Sequence, residues 1–265
     1  MIFGRKLGIQ VKTPAQLEQM RVSGLIVGRI LEALRQETRA GVSTLDLDHI
    51  ARDLIAQEGA QSSFLGYHGY PAVICASIND EVVHGIPMAN RVLKDGDMIS
   101  IDFGVHVDGW HGDSAITVLV GDVDDTAKAL SDVTERAMWA GLAAAKVGNR
   151  LSDISHAIES VVRADGREWG IVEEYTGHGI GTAMHMAPNV LNYGEPGRGP
   201  ELVAGMALAI EPMVTEGARH VQVLDDDWTV STEDGLRASH WEHTVAITED
   251  GPWVLTALDG GASRL

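Results

Sequence analysis

Four carboxylates in this chain stand inside apolar, strand-like runs. Asp102 lies in the run 98–107 and Asp113 in the run 110–119. Glu211 interrupts the apolar stretch 206–214, and Glu242 precedes Thr244-Val245-Ala246-Ile247. A carboxylate on a buried face must find a cation or give up its charge. Four hard oxygen donors suit a pair of divalent ions. Gly177-His178-Gly179-Ile180-Gly181 offers a nitrogen donor on a glycine-rich loop. A lone aspartate after a strand reads as a turn or cap residue, and a lone histidine among eleven reads as surface or core. The joint placement of the four carboxylates carries the metal reading, and at this level the reaction stays unspecified.

Their positions follow from the elements around them. Asp108-Gly109 between the first two runs is a two-residue hairpin signal. In that register Val107 faces Trp110, Asp102 faces Ala115 and Asp113 faces Gly104. With period two, residues 102, 104, 113 and 115 share one face, which makes the two aspartates diagonal neighbours.

The chain then repeats itself. Leu17, Met20, Leu25, Ile26, Ile30, Leu31 and Leu34 recur at helical spacing after Thr13-Pro14. Ser43 or Thr44 caps a second helix that ends near Gly59. A second helical pair is predicted over 124–146 and 151–164. Its second helix aligns with the earlier one at a constant offset, Gly41 with Gly148, Asp46 with Asp153, His49 with His156 and Gly59 with Gly166. The run 96–102 likewise aligns with 205–211, and His111-Gly112-Asp113 with His240-Trp241-Glu242. Each helical pair is followed by two strands, each bearing a carboxylate. The expected architecture is α+β, with two halves about a pseudo-twofold axis and the four carboxylates near that axis.

Composition sets outer bounds. The chain of 265 residues has 20 basic and 38 acidic side chains and a formal net charge of -18, which argues against a direct nucleic-acid reader. One cysteine, Cys75, rules out an intramolecular disulfide. No stretch approaches the ~20 apolar residues of a membrane span, and the first residues lack a secretory pattern. A cytoplasmic chain with no membrane partner is expected.

At these residues the sequence resembles type I methionine aminopeptidases of the creatinase-aminopeptidase, or pita-bread, fold. The carrying segments are Leu65-Gly66-Tyr67-His68-Gly69-Tyr70-Pro71, Ser77-Ile78-Asn79, Val83-His84-Gly85-Ile86-Pro87, Ile101-Asp102, Trp110-His111-Gly112-Asp113, the His178 loop, Ile210-Glu211-Pro212 and Glu242-His243-Thr244. They span about residues 13 to 257. The resemblance implies that Asp102, Asp113, His178, Glu211 and Glu242 hold two divalent ions (Co, Mn, Fe or Zn). In the family pattern Asp102 serves one ion, His178 and Glu211 the other, and Asp113 and Glu242 bridge both.

It further implies removal of an N-terminal methionine from peptides and nascent chains, with a small second residue preferred, by a hydroxide shared between the two ions. Glu211 is the implied proton carrier, and His84 and His185 the implied substrate contacts. Tyr67, Tyr70, Cys75, Met184 and Trp228 are the implied methionine pocket. Met184 stands where many relatives have phenylalanine and Phe64 where some have cysteine, so both bear on pocket shape. Glu211 and Glu242 are only 31 positions apart, which leaves no room for the insertion that marks type II. The expected unit is a single catalytic domain, 1–265, with a short extension over 1–12, acting as a monomer. A fold relative that cleaves Xaa-Pro substrates and a non-catalytic binding protein are the competing readings. The acidic run Asp225-Asp226-Asp227 has no explanation in the sequence. The basic residues Arg5, Lys6, Lys12, Arg91 and Lys94 form the only visible candidate surface for a weak, salt-sensitive ribosome contact.

Overall fold

The structure is a computed structural model that describes residues 8–265. Four helices, α1 (Pro14–Glu37), α2 (Thr44–Glu58), α3 (Asp125–Ala144) and α4 (Leu151–Ala164), pack on one face of a curled antiparallel sheet. The sheet strands are β1 (Gln61–Ser62), β2 (Ile74–Ile78), β3 (Met98–Val107), β4 (Trp110–Leu119), β5 (Gly177–Gly179), β6 (Met186–Val190), β7 (Ala207–Ile210), β8 (Glu242–Thr248) and β9 (Gly251–Val254). Their spatial order is β1-β3-β4-β8-β7-β5-β6, with β2 also paired to β3 and β9 to β8.

The helix starts follow local chemistry. Thr13 caps α1 by accepting from the Gln16 N–H, while the Gln16 side chain returns a bond to the Thr13 N–H. Ser43 and Asp46 make the same reciprocal box at α2. At α4 the N-cap is Arg150, which has no acceptor, so only the return bond from its N–H to Asp153 is made, at 2.7 Å.

The two helical pairs are equivalent in detail. Gly41 and Gly148, which precede α2 and α4, have φ of 90° and 88°. Their N–H groups donate to the Leu93 and Leu202 carbonyls. Isolated bridges join Ser43 to Val92 and Arg150 to Glu201. The α+β architecture with two related halves is therefore present.

Alternation along the strands separates two functions. Ile99, Ile101, Phe103 and Val105 of β3 point at the helices and join Ile30, Leu34, Leu130, Ile154 and Ile158 in one core. Each such fully buried apolar side chain contributes about 1.5–3 kcal/mol. Asp102 and Gly104 of β3 face the opposite way, toward Asp113 of β4 and Glu242 of β8.

Candidate metal centre and substrate pocket

The β3–β4 register is the one the sequence predicts. Asp102 faces Ala115, Asp113 faces Gly104 and Val107 faces Trp110. Asp108 and Gly109 at the tip have φ of 50° and 79°, the paired positive values of a tight hairpin turn. On the far side of β4, Ala115 faces Glu242 of β8, and on the near side of β3, Asp102 faces Cys75 of β2. A single row thus runs Cys75, Asp102, Ala115, Glu242 across four strands spaced ~4.8 Å apart. Asp113 sits one pleat along, and a Cβ on Gly104 opposite it would lie 2.9 Å from Asp113 Oδ1. In the other half His243 faces Ile210, and extending that register by one residue sets Glu242 opposite Glu211. His178 of β5 faces Ala209 of β7.

These placements bring the ligand candidates together. One donor atom each from Asp113, His178 and Glu242 falls within 4.8 Å of the others. Glu211 Oε1 lies 3.5 Å from His178 Nε2, and Asp113 Oδ2 lies 3.9 Å from it. The ring Nδ1 of His178 is 3.0 Å from the Gly179 carbonyl, which can only accept. Nδ1 therefore carries the hydrogen and Nε2 presents its lone pair to the carboxylates, the arrangement of a metal-ligating imidazole. Burial drives His178 down to about 3, so the ring is neutral and its contacts with Asp113 and Glu211 are not ion pairs.

The electrostatics leave these carboxyls two choices, to bind a cation or to hold protons. Burial first, and mutual repulsion second, raises the Asp102, Glu211 and Glu242 carboxyls well above the usual range. Asp113 rises to about 7 through burial. Asp102 Oδ1, Asp113 Oδ1 and Glu242 Oε1 are buried with no hydrogen-bond partner. Unpartnered buried carboxylate oxygens around a neutral imidazole are the donor set that divalent ions satisfy. The residues present fit a metal centre.

Beside the carboxylates opens a cavity of about 320 Å³. One wall is the apolar group Phe64, Tyr70, Cys75 and Met184, with Tyr67 and Trp228 packed against it. All five residues expected in the methionine pocket line this cavity, as does Phe64. Tyr70 has its hydroxyl within reach of the Ile74 and Gly85 carbonyls, at 3.0 and 3.1 Å. Burial pushes the Cys75 thiol up, which removes it as a nucleophile.

The two expected substrate histidines also line the cavity. His185 lies beside His178 with ring centroids 4.2 Å apart and planes tilted by 51°, and its Nδ1 is 2.9 Å from the Tyr67 hydroxyl. His84 has φ of 62°, a left-handed conformation that costs about 1–2 kcal/mol outside glycine. Its neighbour Gly85 is pinned by Ser77 Oγ on its N–H and by the Ala76 N–H on its carbonyl. Burial lowers the His84 ring to about 4.

The structure adds and corrects several points. Of the acidic run, Asp226 has a structural role: it accepts from the Trp228 and Thr229 N–H groups and the Thr229 hydroxyl. This turn joins the strands Val221–Val223 and Val230–Thr232 and sets Trp228 against Tyr70. His240 was not anticipated in the site. It is buried, lines the cavity, and places Nε2 3.8 Å from Glu211 Oε2. The repeat alignment of His240 with His111 was the available signal.

The basic surface is smaller than its sequence implies. Lys12 is buried at 5% exposure, with Nζ donating to the Ile180 carbonyl at 2.5 Å. Arg91 is paired with Glu81 and donates to the Ile86 carbonyl. Neither is a free surface charge. Lys94 is exposed, and Arg5 and Lys6 lie outside the described residues.

Comparison with known proteins accords with this geometry. The model of metallopeptidase family M24 matches residues 18–249. The chain is 54% identical over 257 residues to methionine aminopeptidase 1 of Mycobacterium tuberculosis, covering 96% of each. It is 50% identical over 247 residues to methionine aminopeptidase 1 of Bacillus subtilis, covering 93% of this chain and 98% of that one. The crystal structure of methionine aminopeptidase from Thermotoga maritima superposes with a TM-score of 0.92 at 40% identity, over 94% of this chain and 99% of that one. With a buried carboxylate–histidine centre, this curled sheet and identity across nearly its whole length, the chain belongs to metallopeptidase family M24 and, within it, to the methionine aminopeptidases.

Proposed function

We propose that the chain removes the N-terminal methionine from peptides and nascent proteins, using two divalent ions held by Asp102, Asp113, His178, Glu211 and Glu242. The observation that carries this reading is the meeting of four carboxylates, Asp113 and Glu242 buried and Asp102 and Glu211 partly so, with one neutral imidazole beside an apolar cavity. When bound, the ions acidify water and polarise the scissile carbonyl.

The protein side chains supply the rest. Tyr67, Tyr70, Cys75, Met184 and Trp228 enclose the methionine side chain, whose polarisable thioether suits aromatic and sulfur contacts. Glu211 accepts the proton of the attacking water on its carboxylate and passes it to the leaving amine. His185, oriented through Nδ1 by Tyr67, donates toward the oxygen that gains charge. His84, held neutral by burial, contacts the scissile amide. A small second residue is preferred, and the enzyme works as a monomer in the cytoplasm. Ribosome contact is weak and salt-sensitive, resting on Arg5, Lys6 and Lys94.

The test is methionine release from Met-Ala-Ser by metal-stripped protein, with Mn, Fe, Co and Zn added back separately. Restored release by at least one metal is expected. No release with any of them, or faster cleavage of Xaa-Pro dipeptides, overturns the assignment.

A further inference from the structure

The face of the β3–β4 hairpin that carries Asp102 and Asp113 continues toward the tip, and the next facing pair on it is His106 and His111. Their rings stand 4.8 Å apart between centroids at an interplanar angle of 38°. Both residues are partly exposed. His111 Nδ1 lies 2.8 Å from Ser63 Oγ. Ser63 is itself buried and anchored by its N–H on the Gly104 carbonyl. This bond fixes the His111 ring and leaves Nε2 as its free nitrogen. Among the described residues the His106 ring makes no hydrogen bond, and no carboxylate lies within 4.0 Å of either ring.

We infer that His106 and His111 form an auxiliary two-imidazole site for a borderline transition-metal ion such as zinc, nickel or copper, separate from the carboxylate centre. Two rings directly opposite on adjacent antiparallel strands are close enough to share one ion. The unanchored His106 ring can turn about its side-chain bonds until its nitrogen converges with that of His111. Ser63 acts as the outer partner that sets the orientation of the His111 ring, as such partners do for metal-bound histidines. Imidazole donors favour nickel, copper and zinc over manganese and magnesium. The two sites therefore differ in chemistry: oxygen-rich within the cavity, nitrogen-only at the hairpin tip. The same alternation that points the ligand aspartates inward places both histidines on this line.

Equilibrium dialysis of the full chain against nickel or zinc tests the site, with bound ions counted at saturation for the wild type, His106→Gln and Ser63→Ala. The wild type should hold one more ion per chain than His106→Gln. Ser63→Ala should retain that ion with weaker binding. Ring nitrogen resonances of His106 and His111 should shift together on adding zinc, and diamagnetic magnesium should leave them unmoved. Equal ion counts in wild type and His106→Gln, or resonances that stay put with zinc, overturn the inference. Both readouts are independent of peptidase activity, so they stand apart from the assignment of the catalytic centre.

Discussion

The two halves of the molecule share a helical pair and the left-handed glycine, Gly41 or Gly148, before its second helix, yet join their carboxylate strands differently. In the first half a two-residue turn links β3 to β4, and the aspartates are diagonal. In the second half the chain leaves β7 after Ile210 and returns at Glu242. Between them it builds Met213–Thr215, Val221–Val223, Val230–Thr232 and Ala238–His240. There the two glutamates are directly opposed instead of diagonal. Relative to the sequence alignment of the halves, the pairing has moved by two residues. An even shift preserves the face, so the carboxylates still point inward. A shift of one would have turned one of them into the helix layer. The short connection fixes geometry, while the long one contributes Trp228 and His240 to the cavity.

The strongest way to break this equivalence is to remove one bridging candidate from each half. Asp113→Ala and Glu242→Ala should each lower kcat/KM on the order of 1000-fold or more, with loss of bound metal measured by elemental analysis. If only one variant loses metal, the halves do not contribute equally to the centre.

The next largest effect separates ligand from substrate contact. His185→Ala should lower kcat by about 10- to 1000-fold with metal content intact, whereas His178→Ala should lose metal. Tyr67→Phe, in the first half, should lower kcat about tenfold or less through the orientation of His185. Metal loss in the His185 variant would make that residue a ligand.

A pH series sharpens the electrostatic side. Asp113 titrates near 7 in the folded, metal-free protein, against about 3.9 when unfolded. The native state then binds more protons between these values, so stability falls as pH rises from about 4 to about 7. The raised Asp102, Glu211 and Glu242 carboxyls act in the same direction. Urea midpoints of metal-stripped protein should decline across that window, and metal at 100 times its dissociation constant should restore about 2.7 kcal/mol. A flat metal-free profile would contradict the burial of these groups.

The smallest effect concerns the helix caps. Ser43→Ala should cost about 1 kcal/mol, and Arg150→Ser should gain about 0.5–1 kcal/mol by completing the reciprocal box at α4. Denaturant midpoints decide this. No gain at position 150 would mean that the bridge to Glu201 already fixes that end.

Legibility in the sequence tracked the length of the connections. Asp108-Gly109 dictates a register by itself, and the β3–β4 pairing was readable residue by residue. The capped helices and their offset were readable for the same reason, since their signals are local. The two-residue displacement in the second half was not, because the 31 positions from Glu211 to Glu242 leave the pairing to tertiary contacts. His240 has no periodic signal in sequence, because the strand that carries it is three residues long. Lys12 and Arg91 read as surface because charge alone suggests water. Their partners, backbone carbonyls of Ile180 and Ile86, carry no signature in sequence.

The two ends of the described chain are stitched together. Arg21 in α1 donates to the carbonyls of Val254, Leu255, Ala257 and Leu258. Gly24 and Gly28 let the helix approach so closely that a Cβ would sit 2.1 Å from the Leu255 oxygen and 2.5 Å from that of Thr256. During synthesis the face of α1 bearing these residues waits for a partner made more than two hundred residues later. That face is therefore covered only once residues 254–258 have been made, and a permuted chain that places them ahead of α1 and opens at Asp108-Gly109 would bring those partners into succession.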